Sequence, residues 1–325
     1  MKIVYLFPGY GSQFVGMAKE LYDEYRVVQE YFEEASNCLK DNFVKLCFAS
    51  SDAELGRMEN AYVALFLVSS AIAQLLKEKG IMPDALSGRN QGEFTAFSFA
   101  GGMSFPDGLY LLSKYASIYS EALKDMDAQL ERVEGLAADT IKHLCDEIRG
   151  TDGRGGPFVA VYVDPTTHII AGTNDAIARF RAQVEQMDGV KLSGADPEIG
   201  MHSPLMEDVY VAFKPYMEKV DCKELSIPFI CRPDQGCIVS CEAVKLCIAS
   251  HLVTPVYWSQ ARRDLADYDC IVQIGPGTHL SDEVAKIYPD KIVMAINTKA
   301  DVEALEALVL PKKENNEDEE DGGIQ

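Results

Sequence analysis

The chain has 325 residues, of which 47% are hydrophobic, 25% charged and 9% aromatic. These values are typical of a large globular protein, so collagen-like, wholly disordered and coiled-coil architectures are excluded. Asp and Glu number 51 against 30 Lys and Arg, which gives a net charge of −21. Because no basic patch dominates, we expect neither nucleic acid nor an anionic membrane surface as a partner.

The apolar segments and the cysteines of the sequence indicate in which cellular compartment the protein is expected. No apolar run reaches the roughly 18 residues of a membrane span, and the stretch at residues 1–7 is too short for a signal peptide. The nine cysteines match no paired zinc-ligand pattern. We therefore expect a cytoplasmic protein with reduced thiols and no metal site. The densest group is expected to be core cysteines: Cys231, Cys237, Cys241 and Cys247.

The first part of the chain alternates strands, tight glycine turns and helices, which predicts a parallel α/β sheet. The predicted elements are a strand at 2–7, a helix at 15–25, a long helix at 61–80, a strand at 83–87 and helices at 91–101 and 106–123.

The middle of the chain reads as a β-α-β-β-α-β unit inserted into the larger one. Its predicted elements are a strand at 129–136, a helix at 137–149, strands at 158–163 and 168–171, a helix at 174–187 and a strand at 189–194. We therefore divide the chain into a large subdomain at 1–126 and 197–310 and a small subdomain at 127–196.

The α/β pattern resumes in the last part of the chain. Its predicted elements are a strand at 227–231, helices at 241–251 and 257–267, and strands at 269–274 and 292–296. Residues 311–325 are acidic and have no apolar periodicity, so we expect a disordered tail.

A turn between a predicted strand and a predicted helix carries the most informative motif, Gly88-Arg89-Asn90-Gln91-Gly92-Glu93. Its frame is that of a nucleophile elbow, G-x-S-x-G, in which a strained turn exposes a serine. Asn90 stands at the centre. Asparagine tolerates such a backbone, but its amide is no useful acyl acceptor.

Five motifs in order give the chain a specific resemblance over about residues 1–310. They are Phe7-Pro8-Gly9-Tyr10-Gly11-Ser12-Gln13, the elbow with Glu93, Met201-His202-Ser203-Pro204-Leu205-Met206, Pro255-Val256-Tyr257-Trp258 and Ile274-Gly275-Pro276-Gly277. The chain resembles the malonyl-CoA:acyl-carrier-protein transacylases and the acyltransferase domains of polyketide and fatty-acid synthases. The resemblance implies an α/β-hydrolase-like large subdomain with an inserted ferredoxin-like small one.

The resemblance also implies a reaction and its partners. In this family a serine takes an acyl group from a coenzyme A thioester and passes it to an acyl carrier protein, and a histidine activates both the serine and the incoming thiol. Backbone amides stabilise the oxyanion, for which the resemblance implies the positions of Tyr10 and Gln91, and an arginine binds the malonyl carboxylate. No covalently bound cofactor is implied, and coenzyme A thioesters are the expected substrate or ligand.

At the reacting centre only the histidine is kept, as His202. The serine position holds Asn90, and the flanking histidine and leucine are Arg89 and Gln91. Other positions also differ from the family. Tyrosines replace two glutamines, at Tyr10 and Tyr62, and the carboxylate-binding arginine, at Tyr115. Two asparagines of the family are replaced by Val161 and Val163, and a glutamate by Gln273.

Scaffold glycines and prolines survive while the chemistry positions are replaced. This pattern favours a catalytically impaired homologue that binds a carrier protein, a synthase component or an acyl-CoA. Two alternatives stay open: an active transferase or thioester hydrolase of altered specificity with His202 as base, and a scaffold protein that uses the acidic tail as a contact.

Each singled-out side chain also has a purely structural interpretation. Tyr10, Tyr62 and Tyr115 either part-fill the acyl cleft, with their hydroxyls on polar partners, or pack as ordinary half-buried tyrosines. His202 is either a base or a structural histidine. Arg89 either binds a phosphate or carboxylate or lies on the surface. Ser87 should lie inside its strand rather than act as a nucleophile.

Overall fold

The computed structural model describes residues 1–149, 153, 155–195, 202–230, 237–257 and 263–310. It shows a mixed α/β fold with two sheets, which confirms the predicted fold class. The strands are β1 (Ile3–Phe7), β2 (Ala85–Gly88), β3 (Gln129–Glu134), β4 (Phe158–Tyr162), β5 (Thr167–Gly172), β6 (Lys191–Ala195), β7 (Phe229–Ile230), β8 (Cys237–Ile238), β9 (Val256–Tyr257), β10 (Cys270–Ile274) and β11 (Ile292–Ile296).

The larger sheet has six strands in the order β11-β10-β1-β2-β7-β8. Its first five strands are parallel, and only β8 pairs antiparallel, with β7. The five residues of β1 are all buried, as is usual for a central parallel strand covered on both faces. The carboxyl ends of β1, β2 and β10 therefore meet at one edge, where open α/β sheets place their ligands.

Helices cover the sheet. They are α1 (Lys19–Glu24), α2 (Arg26–Leu39), α3 (Phe43–Ala49), α4 (Asp52–Leu55), α5 (Met58–Glu78), α6 (Gly92–Phe99), α7 (Phe105–Asp125), α8 (Ala138–Arg149), α9 (Asn174–Val184), α10 (Glu207–Glu218), α11 (Cys241–Ser250), α12 (His279–Ile287) and α13 (Lys299–Val309). Within the described residues α5 alone is long and apolar enough to cross a bilayer, but 83% of its most apolar stretch is buried inside the fold, as in a core helix.

The smaller sheet has the order β6-β3-β5-β4-β9. Its first four strands are antiparallel and, with α8 and α9, follow the β-α-β-β-α-β order expected from the sequence. The fifth strand, β9, comes from the far end of the chain and pairs parallel with β4. Tyr257 of β9 stacks on Tyr162 of β4, with ring centroids 4.8 Å apart.

Two groups of elements differ from the sequence prediction. The helix expected at 257–267 is wrong at its start, because Tyr257 belongs to β9, and residues 263–267 form a 3-10 helix. Strand β8 and helices α2, α3, α4, α10, α12 and α13 were not predicted, and α10 contains Pro215, which reads as a helix breaker. The predicted disordered tail, 311–325, lies outside the described residues.

The prediction for the cysteines also has to be corrected. Cys222, after α10, and Cys241, at the start of α11, form a disulfide with their Cα atoms 6.1 Å apart. Cys247 is disulfide-bonded as well. The expectation of reduced core thiols is therefore wrong for these residues, because their separation along the chain hides a spacing that suits a disulfide. Cys237 is a free thiol but exposed rather than in the core, and Cys231 lies outside the described residues.

Candidate active site

The turn between β2 and α6 has the backbone of a nucleophile elbow. Asn90 has φ of +52°, in the left-handed region that asparagine tolerates better than most residues. The turn is fixed to the end of β1, since the Arg89 amide donates to the Phe7 carbonyl oxygen over 2.9 Å. The structure therefore places Asn90 at the centre of the elbow, where the frame would have a serine.

Two elbow glycines are required by close backbone approach. A Cβ on Gly88 would meet the backbone of Gly92 and Glu93, and a Cβ on Gly92 would fall on the carbonyl oxygen of Phe7. Neither overlap could be relieved by moving a flexible side chain. The glycines of the motif are therefore explained by packing, independently of any chemistry at Asn90.

His202 is held in one orientation by a backbone carbonyl. Its side chain is buried, and its Nδ1 donates to the carbonyl oxygen of His251 over 2.7 Å. In a neutral ring this leaves Nε2 as the acceptor nitrogen. The backbone at His202 has φ of +30°, which is a strained conformation for a residue with a side chain.

A buried pair joins the elbow helix to the segment that orients His202. Glu93, in the first turn of α6, has its Oε2 2.7 Å from Nδ1 of His251, and both side chains are largely buried. Since the carbonyl of the same His251 accepts from His202, one path of hydrogen bonds links α6 to His202. Sequence analysis missed His251, for which the only signal was a histidine at the end of a predicted helix.

The three tyrosines at family positions lie together. The rings of Tyr10 and Tyr62 meet edge to face at 5.8 Å, and those of Tyr62 and Tyr115 stack at 5.7 Å. The Tyr10 hydroxyl donates to the carbonyl oxygen of Gly56 over 2.7 Å. The three rings are therefore contiguous, and the Tyr10 hydroxyl has a backbone partner. That they part-fill an acyl cleft stays a prediction.

Tyr115 is the centre of a larger aromatic cluster. Its ring lies 5.6 Å from that of Phe94 on α6 and 4.9 Å from that of Phe213 on α10. Burial raises the pKa of the Tyr115 phenol well above its ordinary value, and the nearby Tyr119 and Glu93 raise it further. Tyr115 is therefore neutral at physiological pH and supplies no positive charge for a carboxylate.

Arg89 turns to an acidic partner outside the elbow. Its Nη1 lies 3.4 Å from Glu283 of α12, and the same carboxylate lies 3.1 Å from Nε2 of His279. The Arg89 side chain is about one-third exposed. Ser87 lies inside β2, as expected, and its hydroxyl donates to the carbonyl oxygen of Ile230.

Gln273 ties the end of β10 to α12. Its buried amide nitrogen donates to the carbonyl oxygens of Pro276 and Gly277 over 3.1 and 2.9 Å, and its Oε1 accepts from the Ser281 amide over 2.8 Å. A carboxamide suits this position because it offers a donor and an acceptor at once, whereas a carboxylate only accepts.

The remaining residues of the family motifs lie in or next to β4 or outside the described part of the chain. Val161 lies in β4 and Val163 directly after it. Met201 and Trp258 of the family motifs lie outside the described residues. Within the described part of the chain no group of three or more His, Cys, Asp or Glu side chains is arranged to hold a metal ion.

Comparison with known proteins places these features in a family. The acyl transferase domain model matches residues 4–308. A curated malonyl CoA-acyl carrier protein transacylase of Bacillus subtilis (strain 168) is 29% identical over 97% of this chain and 99% of its own. FabD from Acinetobacter baumannii is 26% identical, with a TM-score of 0.83 over 94% of this chain and 98% of that one.

A third similar structure is a malonyl-transacylase in complex with its type II polyketide acyl carrier protein. It is 24% identical, with a TM-score of 0.83 over 95% of this chain and 100% of that chain, and supports the fold. The match over nearly the whole chain shows that this protein belongs to the acyl transferase domain family. Within that family it is malonyl-CoA:acyl-carrier-protein transacylase-like.

Proposed function

We propose that this protein binds acyl thioesters, on coenzyme A or on an acyl carrier protein, without forming an acyl-enzyme. The observation that carries the proposal is Asn90, whose carboxamide stands at the centre of an intact elbow. A neutral amide is not a nucleophile of useful strength. A carboxamide does hydrogen-bond well, as donor and as acceptor, so the site is better suited to holding a ligand than to exchanging its acyl group.

The aromatic cluster supports a change of acyl preference. Tyr62 and Tyr115 lie against Phe94 and Phe213, and the charged side chain that acts on Tyr115 is the carboxylate of Glu93. A malonyl carboxylate would meet aromatic faces and a negative charge there, instead of a guanidinium. We therefore expect acetyl-CoA and other uncharged acyl thioesters to bind at least as tightly as malonyl-CoA.

The partners follow from the relatives. The Bacillus subtilis relative is named for malonyl-CoA and acyl carrier protein, and the polyketide relative is in complex with its carrier. We extend this to the present chain as binding of a carrier protein from fatty-acid or polyketide synthesis. A cytoplasmic location stays part of the proposal although the Cys222–Cys241 disulfide removes reduced thiols as its support, and cell fractionation tests it.

The test measures binding and transfer on the same preparation. We expect saturable binding of acetyl-CoA in calorimetry, with no acyl transfer to a phosphopantetheinylated carrier above a control without enzyme. Transfer above that control would contradict the proposal. An absence of binding to every thioester and carrier tried would contradict it equally.

One observation favours a second candidate, an acyltransferase or thioester hydrolase that uses His202 as base. The hydrogen bond from Nδ1 to the His251 carbonyl places the basic lone pair of the neutral ring on Nε2, the atom that would take a proton from water or from a thiol. Donors of the oxyanion site leave residual catalysis even without a nucleophile. This candidate predicts turnover that disappears in His202→Ala and persists in His143→Ala, a change at an exposed histidine.

A further inference from the structure

Gln91, directly after Asn90, has a buried hydrogen-bond donor without a partner. Its side chain is 4% exposed, and no described residue accepts from its amide nitrogen. Buried polar groups in folded proteins are nearly always paired, and an unpaired one destabilises the fold. An unpaired donor next to the elbow centre therefore calls for a functional reason.

The carboxamide of Gln91 lies beside the loop that follows β1. Its Oε1 lies 3.3 Å from where a Cβ on Gly9 would be, and that Cβ would approach the Arg89 carbonyl oxygen to 2.5 Å. The carboxamide thus lies in the seam between the loop after β1 and the elbow. These two loops bring backbone amides to the carboxyl edge of the sheet, where an acceptor atom of a ligand could be bound.

Two further unpaired polar atoms belong to segments that adjoin the candidate site. The described part of the chain has six buried side-chain nitrogen or oxygen atoms without a partner, and Gln91, Ser203 and Ser69 supply three of them. Ser203 follows His202 directly. A Cβ on Gly275 would meet the Ser69 hydroxyl and Pro8, which precedes Gly9. Ser69 thus lies next to the loop that follows β1.

We propose that Gln91 is a ligand-contacting residue whose side-chain amide donates a hydrogen bond to the carbonyl oxygen of a bound acyl thioester. This inference rests on the proposed function and specifies which atom of the ligand is recognised. A thioester carbonyl is a neutral acceptor that a neutral carboxamide matches without an added charge. The resemblance implies leucine at this position, so an apolar side chain of similar length is compatible with the fold.

The test compares two coenzyme A derivatives that differ in the carbonyl. Acetyl-dethia-coenzyme A is a ketone that keeps the carbonyl oxygen and cannot transfer its acyl group, whereas S-ethyl-coenzyme A is a thioether without it. We expect Gln91→Leu to weaken binding of the ketone about fivefold to tenfold, the worth of one hydrogen bond. Binding of the thioether should not change, and Gln183→Leu, the same change at an exposed position of α9, should alter neither.

Thermal unfolding separates ligand contact from a structural role. Because Gln91→Leu removes an unpaired buried donor, we expect its Tm to rise by about 2 °C while its affinity for the ketone falls. A lower Tm together with equal losses for both ligands would show a structural role and overturn the inference. If Gln91→Leu bound the ketone as tightly as the wild-type chain does, the role of Gln91 would be overturned and the proposed function would stand. If the wild-type chain bound neither derivative, the proposed function would be overturned as well.

Discussion

At the scale of single residues, Asn90 meets the backbone requirement of the elbow but not the chemical requirement of the family's reaction. The elbow requires a residue that tolerates φ of +52°, and asparagine meets that requirement. The reaction of the family requires a hydroxyl, which asparagine lacks. Tyr115 likewise occupies the position at which the resemblance implies an arginine, but its phenol carries no charge at physiological pH.

Gln273 is expected to matter for stability, because its side chain pairs three buried backbone groups. Replacing it with leucine removes the partners of the Pro276 carbonyl and the Ser281 amide, whereas the Gly277 carbonyl still accepts from Asn297 Nδ2 over 3.0 Å. We expect Gln273→Leu to lower the free energy of unfolding by about 2–4 kcal/mol, measured by urea denaturation. Gln183→Leu at an exposed position is the control, and equal stability of the two variants would contradict the role assigned to Gln273.

His168 predicts a pH dependence of stability. Its ring is buried, Nε2 donates to the Leu136 carbonyl oxygen, and burial lowers its pKa below the ordinary 6.5. The unfolded chain therefore takes up the proton first as the pH falls below 6.5, and stability is lost in that range. At most about 1.4 kcal/mol per pH unit is expected from this residue.

Urea unfolding between about pH 7.5 and about pH 5 checks this prediction, since the range spans the ordinary histidine pKa. His168→Phe should flatten the profile, and His143→Phe, at an exposed position of α8, should leave it unchanged. A profile that keeps its slope in His168→Phe would assign the dependence to another group.

At the scale of elements, the β2-turn-α6 unit and α11 act together. Glu93 of α6 pairs with His251 after α11, and the His251 carbonyl orients His202. The orientation of His202 thus depends on packing between two helices far apart in the chain. This explains how the frame of the site can persist while the nucleophile is replaced.

The strained turn gives an element-scale prediction. Asn90→Val puts a β-branched residue at φ of +52° and should destabilise the protein by about 1–2 kcal/mol, whereas Asn90→Gly should cost little or nothing. Chemical denaturation of the three proteins measures the difference. If the Asn90→Val and Asn90→Gly proteins were equally stable, the left-handed turn would not be present in solution.

The elements that the sequence predicted well are those with strong local signals. The apolar run of β1, the apolar helix α5 and the glycine turn of the elbow all appear close to their expected bounds. Helix α10 was missed because Pro215 argues locally against a helix that tertiary packing nevertheless stabilises. Strand β9 was misassigned because its short pairing with β4 is a long-range contact.

The site was predictable only where it matched motif positions. Those positions identified Asn90, His202 and the three tyrosines, but not that the tyrosines touch. The Glu93–His251 pair and the Cys222–Cys241 disulfide join segments that only the fold brings together. No local pattern in the sequence marks such contacts.

At the scale of the whole molecule, the net charge of −21 affects association. An acidic carrier protein would be repelled at long range, and salt screens that repulsion. We expect association with an acidic carrier to speed up between about 20 mM and about 200 mM salt, where the Debye length falls severalfold. A stopped-flow rate that falls with salt would instead indicate attraction through a local basic patch.

The central claim is that the fold and elbow persist without an acyl-enzyme, and intact-protein mass after incubation with acetyl-CoA and malonyl-CoA tests it most directly. We expect no adduct on the wild-type chain. An adduct on Asn90→Ser would show an elbow that lacks only its hydroxyl, and none would show that the surrounding cleft has changed as well. An acyl adduct on the wild-type chain would reveal another nucleophile and contradict the account.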